Sequence, residues 1–453
     1  MNETNAELIA RRIQAALETG RAQDALGILD SLHPADQAEV FNLLDDGEQE
    51  LLLPLLDIQS TADLLEELED EDVLDAIEDF TTEKLADVLD EMEPDEAADL
   101  LGDLPPAQVS QALAQMEDAD EVIPLLGYPD ETAGGLMTTS YVALRRQTTA
   151  QQVIEFLRSL ELSTEVPYYL FVVDRDKKLI GVTGLRELVV TKANTTMETI
   201  MNRDVIYVTV GTDQEEVARV MSRYDLSAIP VVDEAGHMLG VITHDDIVDV
   251  LEHETTEDIL HLGGVESGPL IDKPYWAQRI TDVVRSRFLW LLLLFIAETF
   301  TGTVLRHFEE ELQVAVALSF FIPLLIGTGG NAGSQTVATV IRALAVREVR
   351  SKDLIKVWWR ELQTGLFLGV LIALVAFLFA LLWNVKWELA VTVAITIAAI
   401  VVWANTVASL VPIIASRFGV DPTILSGPLM TTLIDGTGLL IYFSLAALIL
   451  PEL

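Results

Sequence analysis

A chain of 453 residues that is half apolar yet carries 72 acidic against 28 basic side chains, for a net charge of -44, has room for about three domains of different character. It contains no cysteine, which excludes disulfides, thiolate metal sites and cysteine nucleophiles. Acidity of this density also repels nucleic acid, so no nucleic-acid partner is expected.

Roughly half of the acidic residues fall in the first third, where Lys and Arg are scarce, while the last third is nearly all apolar. The charge therefore belongs to one domain, and cations are its natural neutralisers. Halophilic adaptation would instead spread acidity over every soluble segment. The opening MNETNAELIARR lacks the apolar core of a secretory signal, so the N-terminus is expected in the cytoplasm. Residues 1–130 read as short amphipathic helices with a loose repeat: Leu32-His-Pro-Ala-Asp-Gln-Ala-Glu-Val-Phe41, Met92-Glu-Pro-Asp-Glu-Ala-Ala-Asp-Leu-Leu101 and Leu104-Pro-Pro-Ala-Gln-Val-Ser-Gln-Ala-Leu113. Each places Pro where a first helical turn accepts it, which predicts a helical-repeat superhelix. Glu66, Glu67, Glu69, Asp70, Glu71, Asp72, Asp75, Glu78 and Asp79 crowd too many like charges together to be stabilising by themselves.

Residues 131–252 repeat internally. Met137 and Met201 open equivalent units, each with a β-rich run, an amphipathic helix, a strand ending in Val-Asp (Val173-Asp174, Val232-Asp233) and a Gly-Val strand leading into a helix (Gly181-Val182, Gly240-Val241). Strand and helix alternate around apolar runs such as 168–173, so an α/β domain of two copies is expected. The pattern resembles a tandem pair of cystathionine-β-synthase (CBS) motifs, which are regulatory. In that family a Ser/Thr-x-x-Asp at the last helix start often holds ribose and phosphate. The second copy keeps it as Thr243-His-Asp-Asp246, and the first has Gly184-Leu-Arg-Glu187. Thr243 and Glu187 are the residues the resemblance offers to a nucleotide such as ATP; Thr243 and Asp246 serve equally well as a helix cap.

A linking helix continues from Asp245 to a Gly263-Gly264 break, ahead of an interfacial Tyr275-Trp276 pair; residues 253–280 form this linking region. Within 281–453, five apolar stretches near 286–306, 313–343, 361–383, 388–416 and 427–450 are each long enough to cross a bilayer, so membrane lipid is a partner. With the acidic domains inside, Arg285, Arg287, Arg342, Arg347, Arg350, Lys352, Lys356, Arg360 and Arg417 lie on the cytoplasmic side against Arg306 and Lys386 outside. An odd span count then leaves Pro451-Glu-Leu453 outside.

Polar groups within spans are costly and usually face a cavity or a partner. Two clusters qualify. Pro323 to Gln335 reads as a glycine-rich interruption that lets carbonyls, Asn331 and Gln335 line a wet passage; close helix packing through small residues is the alternative for any single glycine. Asp435 lies near the middle of the fifth span with no cation one turn away. Oxygen-only ligands suit Mg2+, Ca2+ or Mn2+ over Zn2+ and Cu+, and Mg2+ is commonly held through its water by one or two carboxylates. One Asp per chain makes a thin site, so a homodimer with the pore on its axis is expected.

Tyr128-Pro-Asp-Glu-Thr-Ala-Gly-Gly-Leu-Met137, Pro323 to Gln335 and Asp421-Pro-Thr-Ile-Leu-Ser-Gly-Pro-Leu-Met-Thr-Thr-Leu-Ile-Asp435 resemble segments of the bacterial MgtE magnesium channels, and the domain order agrees over nearly the whole chain. The resemblance implies a multidomain fold: an α-helical superhelical N-terminal domain, an α/β tandem CBS domain and a five-helix transmembrane bundle in the bacterial inner membrane. It implies that Asp435 binds hydrated Mg2+, that Asp421 is a second cation contact at the cytoplasmic mouth, and that regulatory Mg2+ lies at Asp246, Asp249, Glu254, Glu257 and Asp258 with Asp90, Glu91 and Asp95 opposite. Glu298, in the first span, departs from the family's pore. A transporter coupled to protons or Na+, with Asp435 and Glu298 as a proton relay, and a non-conducting CBS sensor are the rivals. No catalytic set appears, so an enzyme is not expected, and His244, His253 and His261 are expected to face solvent.

Overall fold

The computed structural model describes residues 3–68, 70–159, 169–270, 275, 278–309 and 316–450. The expectations for Glu69, Tyr168, Trp276, residues 313–315 and Pro451 to Leu453 fall outside them. Two compact units emerge, Met1–Glu252 and His253–Leu453.

In the first unit, proline starts the helices as its fixed φ and missing N–H dictate: Pro34, Pro94 and Pro106 each sit in a first turn. The helices are α1 Glu3–Glu18, α2 Ala22–Leu29, α3 Pro34–Phe41, α4 Asp46–Leu52, α5 Ile58–Leu65, α6 Asp70–Ile77, α7 Thr82–Glu91, α8 Pro94–Asp103, α9 Pro106–Leu113 and α10 Ala119–Val122. Odd-numbered helices pack on the next odd one from α1 to α9, while α2 meets α4, and α6, α8 and α10 meet in turn. This two-layered stack is the superhelix that the repeat predicts. Leu29, Phe41, Leu64, Leu65, Leu89 and Leu101 fill its interior almost without exposure, each burial stabilising by roughly 1.5–3 kcal/mol.

Two three-stranded sheets follow. β1 (Ala143–Arg145) pairs parallel with β2 (Tyr169–Val173), which pairs antiparallel with β3 (Leu179–Gly184); β4 (Val208–Thr209), β5 (Ala228–Val232) and β6 (Met238–Thr243) repeat that order. Both copies carry an irregularity at the same place, between Val172 and Val173 and between Val231 and Val232. Each copy also closes the other's sheet: Thr138 pairs with Val241, and Asn202 pairs with Val182. The Gly-Val dipeptides are explained by this exchange. A Cβ on Gly240 would come within 2.9 Å of Met137, and one on Gly181 within 2.5 Å of Met201 Sδ, so the methionine that opens one copy lies on the glycine of the other.

A 19-residue helix, α15 (His244–Leu262), leaves the second sheet and ends at the expected glycine break; the helices between the strands are α11 Ala150–Leu157, α12 Leu185–Val190, α13 Met197–Ile200 and α14 Gln214–Tyr224. The second unit then contains five helices long and apolar enough to cross a membrane: α16 (Ile280–His307), α17 (Ile322–Ala345, after a 3-10 turn at Val316–Phe321), α18 (Leu354–Leu382), α19 (Trp387–Arg417) and α20 (Gly427–Ile449). α19 is the hub, packing on α17, α18 and α20, whereas α16 lies against α20 and turns Leu289, Leu291, Leu293 and Phe295 outward, as a lipid-facing helix does.

Candidate functional site

α17 runs unbroken from Ile322 to Ala345, so its glycines do not interrupt the helix as the sequence suggests. They act as contact surfaces. A Cβ on Gly330 would fall 2.7 Å from Thr431 Cγ2 and 3.5 Å from Asp435 Oδ1, and one on Gly333 would collide with Ile434. α17 thus approaches α20 more closely than side chains would permit, and Ser334 and Thr431 hydroxyls share a 3.1 Å hydrogen bond across the contact. Small-residue packing, the alternative reading for single glycines, accounts for the run, because a helix satisfies its own carbonyls within a bilayer.

That contact holds Asp435. Its Oδ1 is buried with no hydrogen-bond partner among the described residues. Asn331 and Gln335, four positions apart on α17, present an exposed face one residue beyond Gly330. Glu298 on α16 is near enough to Asp435 for their charges to interact, the pairing that the proton-coupled rival requires.

A second cluster forms where α15 ends. Asp421 caps the turn Pro422–Ile424, accepting from the Thr423 N–H at 2.9 Å and from the Thr423 hydroxyl. His261, with only 15% of its side chain exposed, sits between two carboxylates: Nδ1 is 3.9 Å from Asp421 and Nε2 is 3.6 Å from Glu257. The Ser267 hydroxyl donates to Glu257 at 2.9 Å. The expectation that His261 faces solvent is therefore wrong, although His244 and His253 are exposed. Packing of the half-buried Leu262 against the apolar cluster of Val337, Ile341, Ala408 and Met430 draws the neighbouring ring inward. Glu254 and Asp258 are half-buried on the same helix.

The remaining predicted residues lie in the first unit. Asp95, in the first turn of α8, is 7% exposed, and its Oδ1 has no hydrogen-bond partner among the described residues. Burial, then the charges of Asp246, Glu93 and Glu96, raise its carboxyl well above the usual range. Asp246 is also raised by burial, although the Thr243 N–H (3.1 Å) and hydroxyl (2.9 Å) donate to it. Asp249 is exposed and raised by partial burial and by the Glu252 and Asp245 charges. Asp90 instead spends its carboxylate on the N–H groups of Glu117 and Asp118, at 2.9 and 3.1 Å, and Glu91 is exposed. Thr243 spends its N–H and hydroxyl on Asp246, and Glu187 is exposed on α12. Among the described residues no three acidic or histidine side chains converge as a metal cage; the carboxylates stand singly or in pairs.

A family profile described as the MgtE divalent cation transporter matches residues 322–445, the MgtE intracellular N domain matches 32–131, and CBS domains match 133–192 and 197–253. The magnesium transporter MgtE of Thermus thermophilus is 41% identical over 330 residues, which is 73% of this chain and 72% of that protein. The chain belongs to the MgtE family. The Enterococcus faecalis magnesium transporter MgtE is 34% identical over 73% of this chain and 72% of its own length. Of solved MgtE structures, the soluble part of a magnesium transporter covers 55% of the chain and 99% of its own, at 34% identity and a TM-score of 0.50. The cytosolic domain of the Mg2+ channel MgtE in complex with ATP covers 53% and 99%, at 36% identity and a TM-score of 0.51. Magnesium transport, an MgtE N domain, a CBS pair and a five-span bundle are thereby joined in one chain.

Proposed function

We propose that this member of the MgtE family is a Mg2+ channel of the bacterial inner membrane, with a cytoplasmic N-terminus, an external C-terminus and a gate closed by cytosolic Mg2+. The observation that supports it most is the half-buried Asp435, whose Oδ1 finds no donor among the described residues. A carboxylate held beside Gly330 and Thr431 can accept hydrogen bonds from the water shell of a dication without stripping it. Pairing two chains about an axis through this face would supply two carboxylates and two sets of Asn331 and Gln335, so a homodimer is the conducting form.

Gating follows from α15, which carries acidic groups at both ends. At its start, Asp246 and Asp95 repel one another; at its end, Glu257 and Asp421 flank His261. Cytosolic Mg2+ bound at Asp95, Asp246 and Asp249, with Asp90 and Glu91 contributing outer contacts, and at Glu254, Glu257, Asp258 and Asp421, neutralises both groups and holds the helix end over the mouth. Each ion shifts the population only by its preference for the closed arrangement. The cytosolic domain of a solved relative is in complex with ATP; in this chain ATP at the CBS pair would use Thr243 and Asp246, with Glu187 marking the other copy.

Uptake of Mg2+ into proteoliposomes is the test. Replacing Asp435 by Asn should reduce flux to the leak of protein-free vesicles while the protein still folds. Flux driven by voltage alone supports a channel; flux that requires a proton or Na+ gradient would favour the coupled transporter, to which the nearness of Glu298 and Asp435 lends its one argument.

A further inference from the structure

Where the end of α17 meets the start of α18, a cavity of about 510 Å3 opens, lined by Arg342, Lys356 and Arg360 and by Glu348, Asp353 and Glu361. Arg342, Arg347, Arg350, Lys352, Lys356 and Arg360 place six of the chain's 28 basic residues within one short stretch of a protein whose net charge is -44. The ion pairs among the lining residues are open to water: Arg342 and Glu348 are 3.3 Å apart with side chains 67% and 60% exposed, and Lys356, 3.3 Å from Asp353, is 86% exposed. Exposed pairs of this kind hold their partners weakly, so a phosphate can compete for the cations. Trp358 and Trp359, with ring centroids 6.2 Å apart, flank the cavity on α18, and Trp359 is 55% exposed. Tryptophan at a span's end marks the headgroup level of a bilayer. A bias of cations toward one side of the membrane explains why basic residues gather here. It does not explain a cavity between two helix ends with three cations on its wall.

We infer that this cavity binds the headgroup of an anionic phospholipid, its phosphodiester held by Arg342, Lys356 and Arg360 while its acyl chains run along the exposed apolar face of α18. That face is present in Leu366, Phe367, Val370 and Leu374, all exposed. Basic pockets between span helices are the usual seats of such headgroups. The site is separate from Asp435 and needs no assumption about the gate.

To test it, the full-length protein in detergent is titrated with phosphatidylglycerol, phosphatidylcholine, inorganic phosphate or glycerol 3-phosphate while thermal unfolding is followed by tryptophan fluorescence. Phosphatidylglycerol alone should raise Tm, and R342Q/K356Q/R360Q should weaken that response about a hundredfold in lipid concentration, at about fivefold per cation. R279Q/R285Q/R287Q, an equal charge change on or beside α16, should leave it intact. Should the first triple variant fail to fold, K356Q alone must weaken the response about fivefold. Equal shifts from phosphatidylcholine, equal losses in the two triple variants, or a full shift from either soluble phosphate would each overturn the assignment, the last because it would make the cavity a site for a free anion.

Discussion

Gly264 occupies the left-handed region at φ +71°, and a Cβ there would meet Ser426 Oγ at 3.3 Å. Alanine at this position is strained by its backbone and crowded by its neighbour, a penalty of about 1 kcal/mol or more. In G264A the amides of residues 264 and 265, which bond to the His261 and Leu260 carbonyls at 2.9 and 3.0 Å, should exchange with solvent about tenfold faster. Unchanged exchange would show that the turn does not hold the end of α15. At this scale Asp435 was legible, because a lone carboxylate in an apolar run is conspicuous in any one-dimensional reading. His261 was not: its neighbours Thr423 and Asp421 are distant in sequence, and an acidic helix offers no local sign that one histidine is turned inward. Ser334 and Thr431 went unnoticed as a pair for the same reason, although both fall inside the segments that carry the family resemblance.

Among the elements, α8 carries its most unfavourable carboxyls in its first turn. Asp95 is raised well above its ordinary range by burial, and Glu96 is pushed up to about 8 by burial and by the charges of Asp99, Glu66 and Asp246. Glu96 is exposed at its surface, so the buried Asp95 is the firmer of the two. Unfolded carboxyls release their protons near pH 4. The folded helix therefore holds protons that the unfolded chain has lost, and its stability falls as pH rises from about 4.5 towards 8. In metal-free buffer, amides of residues 97–103, corrected for intrinsic rate, should lose about tenfold in protection between pH 5.5 and 8. Millimolar Mg2+ should restore it at pH 8; protection that is flat with pH would refute the account. The five spans were readable from apolar length alone, since a helix must be long enough to cross the bilayer. The glycine run of α17 was misread because glycine weakens a helix locally, whereas what it permits, the approach of α20, is a property of two elements.

Across the whole molecule, α15 is the one helix that begins in the first unit and ends in the second. With Mg2+, the 240–275 region should become resistant to protease, and D246N/D249N/E257Q should remove that resistance while Mg2+-free digestion stays unchanged. A triple variant that still responds would detach the proposed sensor from the gate and leave the Asp435 site standing. Domain order was legible because each region has its own periodicity: proline-led helical turns, alternating strand and helix, then long apolar runs. The exchange between the sheets was visible only as matched Met and Gly-Val positions, whose meaning needed coordinates. Because Met137 seats on Gly240 and Met201 on Gly181, neither half of that domain is finished until the other has been made. During synthesis the segment that opens the first copy, at Met137 and Thr138, must wait unpaired for a strand some hundred residues downstream, and a fragment ending before Gly240 should be captured by chaperones instead of accumulating as a stable half-domain.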